Sequence, residues 1–178
     1  MRRNLLVLAF FGFAVMIDAK FDIVYNVLLT NHPGNLITTS LSTYGRDPRP
    51  ISGNITILKD LTDKHRMSVD ILRLDYDQVV DFPGLKNRRI CEAITAFYDP
   101  YFKTTLTSNN TNLNFKEGKL CPVPKGNYWV KDIVFDINEW KTFSWRVGTY
   151  IVTLTIFNED ATFGGGIELL VRVNPFYI

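Results

Sequence analysis

The chain reads as all-β: an antiparallel β-sandwich or β-cup of immunoglobulin-like build with one short helix. Three observations lead there. Apolar and polar residues alternate with period two in run after run. Clusters of Gly, Pro, Asn and Asp punctuate those runs at turn-like spacing. One segment alone, near residues 90–101, changes to a 3–4 residue spacing.

The N-terminus is read separately from the fold. Arg2 and Arg3 precede an apolar run over residues 5–17, and Ile17-Asp18-Ala19 offers a cleavage site. This predicts a secretory signal peptide over residues 1–19 and a single domain over residues 20–178. The run is too short for a membrane anchor, which needs about 20 apolar residues. Removing Arg2, Arg3 and Asp18 leaves 18 basic against 17 acidic residues. Such a balance argues against nucleic acid or an anionic membrane surface as partner. The remaining length suits one domain with its own core.

Cys91 and Cys121 are the two cysteines. In an exported chain an even count predicts a disulfide. It would close a loop of about 30 residues, worth roughly 3–4 kcal/mol in the chain-entropy account. Two unpaired buried thiols are the alternative. Asn54-Ile-Thr and Asn109-Asn-Thr are glycosylation sequons.

The elements come in order along the chain. Phe21, Ile23, Tyr25, Val27 and Leu29 alternate as a first strand. His32-Pro-Gly-Asn is a turn, and residues 36–44 are β-prone and rich in Thr and Ser. In residues 51–57, Ile51, Ile55 and Ile57 face one way and Ser52, Asn54 and Thr56 the other. Residues 60–65 turn the chain, and Met67, Val69 and Ile71 begin the next strand. Ile90, Ile94, Phe97 and Tyr101 then recur at helical spacing, with Pro100 expected to end or kink the helix near Asp99. Residues 107–114 form a polar loop. Residues 128–137 return to strand. Tyr150, Val152, Leu154 and Ile156 line one side of the next strand, and Ile167, Leu169, Val171 and Val173 one side of the last.

Catalytic and metal patterns are missing. There is no Gly-x-Ser-x-Gly elbow, His-Glu-x-x-His or phosphate-binding loop. Gly164-Gly-Gly166 reads as a strand start or bulge. His32 and His65 fall at predicted turns, where solvation accounts for them. Asp75, Asp77 and Asp81 lack the glycine and glutamate spacing of a calcium loop and read as a solvated edge. The expectation is a non-enzyme with no metal and no cofactor.

The run from Cys91 through Cys-Pro-Val-Pro-Lys-Gly-Asn-Tyr (121–128), then Gly148-Thr-Tyr150 and Gly164-Gly-Gly166, resembles a group of small secreted insect proteins. That group is similar to the ganglioside activator protein and, more distantly, to the ML lipid-recognition superfamily. It includes chemosensory proteins of taste and pheromone sensilla. The resemblance covers roughly residues 88–174.

The resemblance implies a β-cup, with two sheets splayed at one end around an apolar cavity. A chain of about 15 methylenes buried there would gain roughly 12 kcal/mol gross, less several for association. Candidate lining residues are Ile94, Phe97, Tyr98, Tyr101 and Phe102 near the helix, and Trp129, Phe135, Trp140, Phe143 and Trp145 beyond Cys121. Each could equally be ordinary core. Trp140, Phe143 and Trp145 fall in a predicted loop, at the cup mouth or exposed for contact with a membrane or receptor. The leading expectation is a secreted, monomeric carrier of a hydrophobic small molecule or lipid. A filled sandwich acting through its aromatic loop as an interaction module is one rival. A lipid-extracting accessory to a hydrolase is another.

Overall fold

The computed structural model describes residues 21–24, 29–45, 49–80, 82, 84–113, 121–135 and 145–175. The expected signal peptide lies outside these residues, as do Asp81, Trp140 and Phe143.

The chain forms β1 (Phe21–Val24), β2 (Leu29–His32), β3 (Ile37–Thr43), β4 (Ile51–Ile57), β5 (Arg66–Arg73), β6 (Gln78–Val80) and β7 (Arg88–Arg89). The helix α1 (Ile90–Phe97) is next, then β8 (Gly126–Ile133), β9 (Gly148–Phe157) and β10 (Phe163–Pro175). Every pairing between these strands is antiparallel. The larger sheet runs β1-β10-β9-β5-β6, with β2 also on β10 and β7 also on β5. The smaller sheet runs β3-β4-β8. This is the all-β sandwich with one short helix that the alternation predicts.

Two edges differ in detail from the sequence reading. The first predicted strand is two segments, β1 against Arg172–Pro175 and β2 against Gly166–Leu169, laid along one partner. His32 ends β2 opposite Gly166 rather than sitting in the turn. On the opposite edge, β6 pairs the end of β5 and β7 its start. Between them the Val69 N–H donates to the Leu85 carbonyl (2.8 Å) outside either strand, and Phe82 and Leu85 are buried.

The sheets are joined through a close backbone crossing after β2. The Leu36 N–H donates to the Gly164 carbonyl (2.9 Å), and Gly34 N–H to the Ile37 carbonyl (2.9 Å). A Cβ on Gly34 would fall onto the Gly164 carbonyl, and one on Gly164 onto Leu36 and the Ile156 carbonyl. Only hydrogen fits at either position, which gives the Gly164-Gly-Gly166 run its physical reason. The ladder shifts register there, between Phe163 and Gly165. Asn31 adds a second tie: its side-chain amide donates to the Leu41 carbonyl and its Oδ1 accepts from the Leu41 N–H, both at 3.2 Å. The amide thereby substitutes for a strand partner along the β3 edge.

The core falls into connected parts. Leu41, Ile51, Val130 and Ile133 of the small-sheet side pack against Leu29, Ile167 and Leu169 of the large sheet. Leu36, Ile37, Ile57, Leu61, Ile90, Val123 and Ile156 fill the region under the crossing. The rest of the large sheet is faced by α1 and the turn at its C-terminal end. The helix passes directly into this π-type turn, Tyr98–Phe102, which contains Pro100. The expected end near Asp99 therefore falls at Phe97, with a wider turn absorbing the missing proline N–H.

His65 corrects the solvated-turn reading. It is buried, and its Nδ1 accepts from the Thr62 N–H at 3.0 Å. Its carbonyl accepts from the Ile90 N–H at 3.1 Å, at the start of α1. At the β9–β10 turn, Asp160 Oδ1 accepts from the Thr162 hydroxyl and N–H, which lowers the Asp160 carboxyl from its ordinary value.

Gly34→Ala should cost at least about 2 kcal/mol, because the clash is with backbone and cannot be relieved by a side-chain rotation. Urea denaturation of the variant and parent checks this; equal midpoints would mean the crossing is looser than described.

Candidate ligand cavity

One wall of the cavity is the inner face of the large sheet. Met67, Val69 and Ile71 come from β5, Val152 and Leu154 from β9, and Ile167, Leu169 and Val171 from β10. Strand alternation places these side chains on one face at two-residue steps. The opposite wall is Ala93, Ile94 and Phe97 of α1, then Tyr98, Tyr101 and Phe102 of the π-type turn, and Leu106. Phe82, Leu85, Phe135 and Trp145 close the sides.

The space between has a volume of about 300 Å³. That is the lower end of the range of ligand pockets. Every described lining residue is apolar or aromatic, and none is charged. An apolar lining of this kind favours apolar guests.

Aromatic contacts set its shape. Phe97 stacks on Tyr101 with ring centroids 5.6 Å apart and planes at 21°. Phe82 meets Phe97 at 5.8 Å and Tyr101 at 5.7 Å. Phe102 meets Phe135 edge-on at 6.1 Å, and Trp145 meets Tyr150 edge-on at 5.2 Å. These separations lie in the favourable range for aromatic pairs. Ring contacts thus prop the roof along its length, while Ala93 contributes a small side chain at the middle of the helix.

The roof is anchored at its first turn. Cys91 and Cys121 are joined, with Cα atoms 5.5 Å apart across 30 residues of sequence. Leu61 and Val123 exchange backbone hydrogen bonds of 2.8 and 2.9 Å beside that link. The helix is thereby tied to the chain just before β8 while its remaining turns face the large sheet.

The structure brings together Ile94, Phe97, Tyr98, Tyr101, Phe102, Phe135 and Trp145 from the sequence-derived set. Trp129 does not join them. It points from the other face of β8, is 39% exposed, and leaves buried Val130 as the inward neighbour. Alternation from buried Val130 turns Trp129 outward, and the irregularity between Val130 and Ile133, where Asp132 has φ 54°, brings Ile133 inward as well. Trp145 is 6% exposed, so it does not present an aromatic surface. Trp140 and Phe143 lie outside the described residues.

The cavity also differs from the expected cup in what covers it. It lies between one sheet and the helical segment, not between two splayed sheets. Phe82 and Leu85 were not legible as lining, since they sit outside any periodic run. The sheet residues were legible as an apolar face, but not as one with space above it.

A shallow surface cleft lies elsewhere, around Arg73, Tyr76, Gln78, Val79, Arg146 and Val147. The Arg73 guanidinium sits 4.3 Å from the Tyr76 ring centroid and donates to the Val147 carbonyl at 2.6 Å. Among the described residues, no group of three or more His, Cys, Asp or Glu side chains is placed to hold a metal ion. No described helix is long and apolar enough to cross a membrane. No protein-family model and no curated protein matches the chain.

Filling the cavity from the sheet side should abolish binding without unfolding the protein. Val152→Phe combined with Leu169→Phe should weaken uptake of an apolar fluorescent probe at least tenfold, with the thermal midpoint held or raised. Unchanged probe binding in a folded variant would place the ligand elsewhere.

Proposed function

We propose that this protein is a secreted, non-enzymatic carrier of a compact hydrophobic molecule. The observation that supports it is the partly open space of about 300 Å³ beneath α1, which has no charged side chain among its described lining residues. The cysteine pair and the resemblance to secreted insect lipid-recognition proteins support export and a place in an extracellular fluid such as sensillar lymph.

The mechanism is sequestration. A guest leaves water and fills a void whose walls lack partners on one side. A guest that buries about ten to fifteen methylene-sized groups gains roughly 8–12 kcal/mol gross, before several kcal/mol of association cost. That places dissociation constants between about micromolar and millimolar. Such affinity suits pick-up and release rather than permanent storage.

Among the described residues no charged side chain lines the space, which disfavours a buried carboxylate, whose desolvation would go uncompensated. The preferred guests are therefore neutral: hydrocarbons, alcohols, aldehydes or esters. The filled-sandwich rival draws no support from Trp145, which is buried in the cavity wall.

Binding of a series of straight-chain alcohols tests this reading. Affinity should rise about fourfold per methylene, from roughly 0.8 kcal/mol each, and level off once the cavity is filled. Phe97→Asp should remove the response. A series that is flat from the shortest member, or that keeps rising well past the capacity of the cavity, would contradict the assignment.

A further inference from the structure

The outer face of the small sheet carries a feature that the cavity does not use. Asn54 lies on β4, exposed, with Ser40 opposite it on β3 and Trp129 opposite it on β8. The same face carries Thr56 and Asn127, whose side chains are hydrogen-bonded at 2.9 Å, so its surroundings are polar. Trp129 stands among them as a half-open indole. Residues directly opposite on antiparallel strands have Cβ atoms about 5 Å apart. Asn54 is also the acceptor of an Asn-Ile-Thr sequon.

We propose that Asn54 carries an N-linked glycan whose first N-acetylglucosamine packs on the Trp129 ring. A sugar has one face of C–H groups and a rim of hydroxyls. The C–H face suits an aromatic plane, and the hydroxyls remain in water or reach Ser40 and Asn127. The linkage forms when the Asn54 side-chain nitrogen displaces the pyrophosphate of a lipid-linked oligosaccharide. An N-glycosidic bond forms, the sugar–phosphate bond breaks, the amide loses one proton, and lipid pyrophosphate leaves.

The neighbouring loop supports Trp129 as a fixed platform. The Thr111 hydroxyl donates to the Trp129 carbonyl at 2.9 Å, and Asn112 Oδ1 accepts from the Trp129 N–H at 2.7 Å. With both backbone groups of Trp129 held, the indole springs from a fixed backbone. A covered Trp129 also removes an exposed aromatic from a sheet face that would otherwise offer an adhesive spot.

The proposal rests on the export included in the proposed function, but not on the cavity. The full chain produced in secreting insect cells supplies the test. Peptide mass spectra should show a glycan on Asn54. Asn54→Gln should lower the thermal midpoint by about 2–4 °C, the shift of one aromatic contact in a domain of this size. In the Trp129→Ala background the same change should shift nothing, and trimming the glycan to its first sugar should preserve the effect. Secreted protein with a bare Asn54, or an equal shift in both backgrounds, would overturn the proposal while leaving ligand uptake intact. Retention inside the cell, unmodified, would defeat the export reading as well.

Discussion

The space under α1 depends on how that helix is held. A free amphipathic helix would settle onto an apolar sheet until no void remained, because contact is favourable everywhere. Here the first turn is fixed from the side. Cys91 is bonded to Cys121, and the Ile90 N–H is bonded to the carbonyl of buried His65. Farther along, large rings meet rings, Phe82 with Phe97 and Tyr101, and Phe102 with Phe135. A tether at one end and rigid props along the rest keep the roof from closing on Val152, Leu154 and Leu169.

The same constraint explains the division of labour between the sheets. The small sheet is committed to one side of the large sheet through Leu41, Ile51, Val130 and Ile133. The glycine crossing at Gly34 and Gly164 brings the backbones close enough to fix that placement. The β5–β9 side is then available to the helix. At its edge β6 and β7 share β5, and the chain between them buries Phe82 and Leu85. That segment thus supplies two of the side walls.

Much of this fold was legible because strands and helix leave different periods in sequence. The inward faces of β5, β9 and β10 are spelled out by Met67-Val69-Ile71, Val152-Leu154 and Ile167-Leu169-Val171. The helix was legible from Ile90, Ile94 and Phe97. The illegible part is tertiary. Trp129 looked like cavity lining because aromatic residues occupy both faces of β8, and only the burial of its neighbour Val130 decides which face is inside. His65 looked solvated because polar turn neighbours surround it, whereas it is buried against the start of α1. A filled core and a hollow one carry the same alternation, so the void itself has no sequence signature.

The central claim is that the space under α1 is occupied by a small apolar guest in the secreted protein. Native mass spectrometry of the full chain, purified from secreting insect cells without detergent and then extracted with solvent, tests it most directly. The account predicts a discrete added mass on the protein, recovered as a neutral hydrocarbon-like compound. Protein that arrives empty and stays empty after incubation with straight-chain alcohols, aldehydes and hydrocarbons would contradict it.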